Sequence, residues 1–288
     1  MDSSEKERQE MKHLNPAQSE PMVSVVIPAY NVTKTLPRLL DCLLNQTWQN
    51  LQIILIDDGS EDGTAAMAKE AAEKDPRLTV ITQGNLGISY ARNAGLAKCE
   101  GKYIRFIDAD DTLPLDSIER MVRRAEKDGS ELVIGGYDQY FGDRRSFHNL
   151  AGRDDTVPSE EMMRHLCDHA NSYFYGVLWN KLFLREIVVK CGCHFQEDLT
   201  WGEDFAFVMD YFSGVNQVSF MKDSLYDYRR TANSTSIRQV LDCVKHPAEN
   251  TRIKGELYWH LKNMYRKRGL YEKYKNRLWL YLFRVGLG

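Results

Sequence analysis

The stretch KYIRFIDADDTLP, residues 102–114, sets an apolar run directly ahead of Asp108, Asp110 and Asp111. The run reads as a strand buried in a sheet, and the aspartates gather where that strand would leave it. Carboxylates this close repel one another, so something nearby has to compensate. A divalent metal, a set of backbone N–H groups or solvent are the candidates.

Working outward, four more runs share the same β-branched, apolar character: VSVVIPAY from Val23, LQIILID from Leu51, LTVIT from Leu78 and ELVIGGY from Glu131. Helical patterns fill the gaps. In TLPRLLDCLLNQ, Leu36, Leu39, Leu40, Leu43 and Leu44 fall on one stripe. GTAAMAKEAAEK, GISYARNAGLAKC and SIERMVRRAEK continue the alternation. This β-α order predicts an α/β fold with a mainly parallel sheet flanked by helices. Ligands of such sheets bind beyond the carboxyl ends of the strands. The first run ends in PAYN, the second in DDGSEDGT and the fourth in DADD, so the polar residues collect along that one edge.

With 288 residues, 43% of them apolar and 27% charged, the chain reads as an ordinary globular protein. Its net charge of -3 provides no basic field, so nucleic acid is not an expected partner. Residues 1–21 are charged, lack an apolar core of the signal-peptide type and are expected to be disordered. No run reaches the roughly 18–20 apolar residues of a membrane span. The expected location is the cytoplasm. Six cysteines without a secretory signal are expected as free thiols. A zinc site at Cys191, Cys193 and His194, joined by Cys167 and His169, is disfavoured because no C-x-x-C pair is present.

Beyond residue 115 the alternation weakens. GVLWNKLFLREIV and WGEDFAFVMDYF look helical, and YDYRRTANSTS looks like a polar, basic loop. From about residue 238 a helical extension interleaves Trp259, Tyr265, Tyr271, Tyr274 and Trp279 with lysines and arginines. That mixture suits a membrane surface, a second subunit or the protein's own core. The expected divisions are residues 22–115, 116–237 and 238–288.

DDGSEDGT begins like a calcium loop at Asp58, Ser60, Asp62 and Gly63, but its twelfth position is Lys69 and a strand precedes it, so that reading fails. As plain structure it is a strand-to-helix turn with Asp62 or Thr64 as a cap. Neither G-x-G-x-x-G after the first strand nor a P-loop occurs. In DADD, Asp110 or Asp111 as structure alone would cap a helix starting near Pro114, whereas as chemistry the alternating carboxylates suit a hard cation that also grips phosphate oxygens.

VSVVIPAYN, LIDDGSEDGT, GNLGISYARNAGL, YIRFIDADDTL and WGEDFAF, in this order, resemble the bacterial family 2 glycosyltransferases over roughly residues 22–235. The resemblance implies the GT-A nucleotide-sugar fold, an inverting transfer from a UDP-sugar to a hydroxyl acceptor (a glycan, lipid-linked glycan or protein), Mn²⁺ or Mg²⁺ as cofactor, and a place in surface polysaccharide or glycoconjugate assembly. It implies a nucleoside pocket lined by Pro28, Ala29, Tyr30 and Asn31, with Asp58 and Asp57 accepting from uracil N3–H. Asn85, Gly87 and Arg92 would flank the base and diphosphate, Asp108 with Ala109 would approach the ribose, and Asp110 would hold the metal. Asp204 would be the catalytic base with Glu203 beside it. Trp179, Asn180 and Lys181 would lie near the sugar or acceptor, and Arg229 and Arg230 would reach the diphosphate from a mobile loop. As structure alone, Glu203 and Asp204 simply favour a helix N-terminus. IDADDT also matches the D-x-D-x-T of phosphatases of the haloacid dehalogenase type, although there it closes the first strand. A non-catalytic nucleotide-sugar-binding subunit is the third expectation.

Overall fold

Strand β1 (Val23–Ala29) is apolar at almost every position because both its faces are covered and both its edges paired. It runs parallel to β2 (Leu51–Asp58) on one side and to β4 (Tyr103–Phe106) on the other, and β2 runs parallel to β3 (Leu78–Gln83). The crossovers are α1 (Leu36–Leu44), α2 (Thr64–Lys74) and α3 (Ile88–Leu96). The predicted stripe on α1 is its buried face, with Leu36, Leu39, Leu40 and Leu43 in the core. This computed structural model describes residues 20–149, 152, 154–168, 173–230 and 245–280. The expected disorder of residues 1–21 falls almost wholly outside them.

After β4 come α4 (Ser117–Asp128), β5 (Leu132–Phe141), β6 (Arg144–His148), β7 (Asp155–Pro158), α5 (Ser159–Asp168), α6 (Tyr173–Gly176), β8 (Lys181–Leu184), α7 (Arg185–Cys191), α8 (Glu203–Phe212) and β9 (Gln217–Arg230). The sheet order is β3-β2-β1-β4-β8-β5-β9-β7, with β6 paired to β5. Strands β1 to β5 and β9 share one direction, and β6, β7 and β8 oppose it. The mostly parallel α/β expectation therefore holds, with a mixed second half.

Two expectations are corrected here. The helix expected over GVLWNKLF is a turn followed by β8, which pairs antiparallel with both β4 and β5. Lys181, Leu182 and Phe183 are all buried, so β8 lacks the alternation that marks a half-exposed strand. The loop expected at YDYRR is the end of β9, which follows β5 past Asp138 to Phe141. The remainder of that expected loop, residues 231–236, lies outside the described residues.

Helices α9 (Pro247–Lys267) and α10 (Tyr271–Leu278) pack on the protein itself. Ile253, Leu257, Leu261, Met264, Tyr265, Tyr274 and Leu278 are buried. Tyr265 donates to the Met163 carbonyl at 2.6 Å, and His260 Nδ1 meets Asp210 of α8 at 2.9 Å. The core-packing option thus accounts for one face, while Trp259 and Trp279 point outward. Among the described residues no helix is long and apolar enough to cross a membrane.

Helix α3 lies against the sheet at Gly95, where an added Cβ would stand 2.5 Å from Val26 Cγ1 and 2.6 Å from Ile56 Cδ1. Gly95→Val is expected to lower stability by about 1–3 kcal/mol through overpacking, read as a lower urea midpoint at unchanged m-value.

Candidate active site

The parallel strands β1, β2 and β4 send their following loops out along one edge: β1 ends with Ala29 paired to Asp57, while β4 ends earlier, with Phe106 opposite Val26. The first two loops are stitched together by side chains. Asn31, at φ 53°, donates its N–H to Ser60 Oγ at 2.9 Å, and its Oδ1 accepts from Glu61 N–H at 2.9 Å. Asp62 accepts from the N–H and hydroxyl of Thr33 and from those of Thr64. Partial desolvation works the other way, but these hydrogen bonds pull the Asp62 carboxyl down to about 2. Asn31 therefore serves the loop's structure, while Tyr30 beside it is 47% exposed and free to present its ring.

Asp58 is buried and already occupied. Gln83 Nε2 at 2.8 Å, Leu86 N–H at 3.0 Å and Gly87 N–H at 2.8 Å all donate to its carboxylate. A carboxylate has about four lone-pair sites, so one acceptor site is left. Asp57 is buried with Oδ1 lacking a protein donor. Gly59, at φ 75°, brings this turn so near the next loop that a Cβ would stand 2.7 Å from the Asn85 backbone nitrogen. Asn85 itself is exposed.

The three aspartates after β4 meet three different environments. Asp111 is fully buried, accepting from Tyr226 hydroxyl at 2.8 Å and Arg229 N–H at 2.7 Å. Burial first, then the charges of Asp110 and Asp108, push its carboxyl well above the usual range. Asp108 takes the Arg92 guanidinium at 3.2 Å, and its own N–H donates to Tyr226 hydroxyl at 3.2 Å. Asp110 is the most exposed of the three, Asp108 being half-buried, yet desolvation, then Asp108, push its carboxyl up to about 6. Neither Asp110 nor Asp111 caps a helix: α4 begins only at Ser117, after Asp116.

Arg92, expected to flank the base and diphosphate, is 2% exposed and paired with carboxylates. Its Nη1 meets Glu203 at 3.0 Å and Asp204 at 2.5 Å, and its Nη2 meets Asp108. Glu203 and Asp204 occupy the first turn of α8, where carboxylates favour a helix N-terminus, and the one guanidinium joins both to Asp108. Burial pushes the Asp204 carboxyl well above the usual range; Arg92 opposes this, and Glu203 and Asp108 add to it.

Trp179, Asn180 and Lys181, expected near the sugar or acceptor, are packed inside the protein. All three are buried, Trp179 stacking on Tyr226 at 4.7 Å and Tyr228 at 5.2 Å. Lys181 Nζ donates to the carbonyls of Phe174 and Val177 and to Asn180 Oδ1, and burial pulls its ammonium well below the usual range. Arg229 lies on β9, its guanidinium over the Tyr140 ring at 4.8 Å, and Arg230 follows it. Two residues had no signal in the sequence. Arg38, on the outer side of α1, donates to the Asp110 carbonyl at 2.9 Å. Tyr226 joins Asp108 to Asp111 from more than a hundred residues away.

Asp110 suits a hard divalent cation in one specific way. Among the described residues no group of three or more His, Cys, Asp or Glu side chains is arranged to hold a metal. One exposed carboxylate, completed by phosphate oxygens and water, is a donor set that Mg²⁺ and Mn²⁺ accept. Of the residues in the zinc pattern, Cys167 Sγ lies 3.0 Å from the Tyr265 hydroxyl, and His169 lies outside the described residues.

Residues 24–191, more than half of the chain, match the family described as glycosyl transferase family 2. The chain is a family 2 glycosyltransferase. It is 33% identical over 215 residues to the uncharacterized glycosyltransferase EpsJ of Bacillus subtilis, covering 74% of this chain and 62% of that protein. It is 30% identical over 259 residues to the cholesterol galactosyltransferase of Borreliella burgdorferi, covering 85% and 71%. The transferase thus spans between three-fifths and three-quarters of these relatives. S. aureus TarS 1-349 in complex with UDP-GlcNAc matches its fold with a TM-score of 0.70 at 18% identity, over 89% of this chain and 72% of that one. The GT-A expectation is met by this likeness, and family membership displaces the phosphatase reading.

The depressed Asp62 carboxyl makes a pH prediction for the transferase. A folded value below the ordinary one contributes stability above pH 3.8 that is lost as pH falls toward about 2. Urea midpoints measured across that window should fall less steeply with acid in Asp62→Asn than in the native chain.

Proposed function

We propose that the chain moves a sugar from a UDP-sugar to a hydroxyl acceptor by a single inverting displacement, with Asp204 as base and Mn²⁺ or Mg²⁺ held at Asp110. The observation that carries this reading is the convergence on one sheet edge of a base candidate, a ribose-side carboxylate and one solvent-facing carboxylate, Asp110. Tyr30, with Pro28 and Ala29 behind it, offers a face for the nucleobase, and the Asp57–Asp58 pair offers acceptors for its N–H. Asn85 and Gly87 flank the base, and Asp108 beside Ala109 takes a ribose hydroxyl.

Asp204 would remove the acceptor hydroxyl's proton as its oxygen attacks the anomeric carbon. A carboxyl lifted by burial is a stronger base than an exposed one, provided that it is deprotonated at working pH. A bound divalent cation would offset the charge left on the departing diphosphate. Arg38 and Arg229 stand near Asp110 and Asp111 and add positive potential on that side. Arg230 follows Arg229 at the end of β9.

The complex of TarS with UDP-GlcNAc supports a UDP-sugar donor, and the galactosyltransferase supports a hexose or N-acetylhexosamine as cargo. The motif resemblance supports surface polysaccharide or glycoconjugate synthesis on the cytoplasmic side. The outward Trp259 and Trp279, set among basic residues, support peripheral contact with an anionic membrane. The segments 22–115 and 116–237 contribute the donor side and the base side respectively.

UDP with Mn²⁺ at 100 times its dissociation constant should stabilise the native chain by about 2.7 kcal/mol in thermal unfolding, and Asp110→Ala should lose the gain. A panel of UDP-sugars should then give UDP release that Asp204→Asn lowers at least about 100-fold. No stabilisation by UDP and no release from any donor would overturn the proposal.

A further inference from the structure

Arg92 is fixed from several sides before it meets any carboxylate. The start of its helix α3 is held by the Asp58 carboxylate through Leu86 and Gly87 N–H. Farther along, Gly95 sits on Val26 and Ile56. Between these points the Asn93 side chain clamps residue 195, donating to its carbonyl at 2.9 Å and accepting its N–H at 2.8 Å. The Phe195 ring so placed lies 5.4 Å beneath the Arg92 guanidinium. A side chain this immobilised and 2% exposed is not a flexible ligand contact.

The guanidinium then joins groups from two distant parts of the chain: Asp108 at the end of β4, and Glu203 and Asp204 at the start of α8. Only arginine offers enough planar N–H donors to engage three carboxylates at once; a lysine ammonium is a compact point charge. Three carboxylates against one guanidinium leave an excess of negative charge. Lys181 of β8, a basic group on which Asp204 also acts, is buried with its Nζ committed to carbonyls, and burial disfavours its charged form. Arg92 is therefore the main group opposing protonation of Asp204, against burial, Glu203 and Asp108.

We propose that Arg92 is a positioning residue, whose single guanidinium fixes Asp204 relative to the donor-side Asp108 and keeps it available as a base. The proposal rests on the reading of Asp204 as that base. Arg92 spans the donor-binding and base-bearing halves, so the separation between the sugar's leaving side and the base is set by one side chain. Misplacement of a reacting group by about 1 Å costs on the order of 100-fold in rate.

The test compares Arg92→Lys, Arg92→Met and Asp204→Asn, using the UDP-sugar that gives UDP release in the native chain, with water as acceptor. Arg92→Lys should lower kcat about 100-fold with donor KM changed less than about 3-fold. The acid limb of its kcat profile should move to higher pH, because a group that lowers the Asp204 pKa has been displaced. A role in folding alone would reduce the active fraction and leave that limb where it was. Unfolding of Arg92→Met, Asp204→Asn and the double variant gives a second readout that needs no turnover. Arg92→Met should be strongly destabilising, and adding Asp204→Asn should restore part of the loss, since an uncompensated buried carboxylate is removed. Native kcat and an unmoved acid limb in Arg92→Lys, beside an inactive Asp204→Asn, would overturn the role of Arg92 alone. Full turnover in Asp204→Asn would overturn the base assignment and the role of Arg92 with it.

Discussion

The Arg92 guanidinium, buried against Asp108, Glu203 and Asp204, is the contact on which the rest of the site's geometry depends. Charges taken out of water are costly unless they are paired and hydrogen-bonded, so none of the four side chains can move independently. The strand that ends at Phe106 and the helix that starts at Glu203 are locked together by this demand, although about a hundred residues separate them. The aromatic rings beneath, Phe195 stacked on Phe207 at 4.5 Å and Phe106 edge-on to both, give the cluster an apolar floor that keeps water out.

The crowding of aspartates after β4 is resolved by division rather than by a single cation. Asp108 is balanced by Arg92, and Asp111 by a tyrosine hydroxyl and a backbone N–H. That leaves Asp110 as the member turned outward, where a metal shared with phosphate oxygens has a physical reason to sit. Arg38, holding the Asp110 carbonyl, keeps the backbone there from rotating the carboxylate away.

Much of this was legible in the residues. The strands from Val23, Leu51 and Tyr103 announce themselves as continuous apolar runs, and the rule placing ligands at strand ends then collects DDGSEDGT and DADD on one edge. The leucines of α1 have unambiguous helical spacing. What stayed hidden depends on contacts between remote segments. Lys181–Leu184 looks helical because a strand buried on both faces loses its alternation. Asp227 to Arg230 looks like a loop because this end of β9 is only partly buried, and polar side chains are tolerated there. Arg92 sits in a recognisable motif, yet its neighbours there are Ala91 and Asn93; its charge partners are Asp108 and two acids near the far end of the fold. No local pattern records that, and none separates Asp58, held by three donors, from Asp57, which has an oxygen to spare.

Strand β8 is short, but it is inserted between β4 and β5 and hydrogen-bonds to both. The strands before residue 115 and those after it are consequently parts of one continuous sheet. A fragment ending near residue 115 would leave the β4 edge bare, an open row of N–H and C=O groups of the kind that pairs with other chains. The two segments therefore form a single cooperative unit, which cannot be exchanged between relatives as modules without also carrying β8 across.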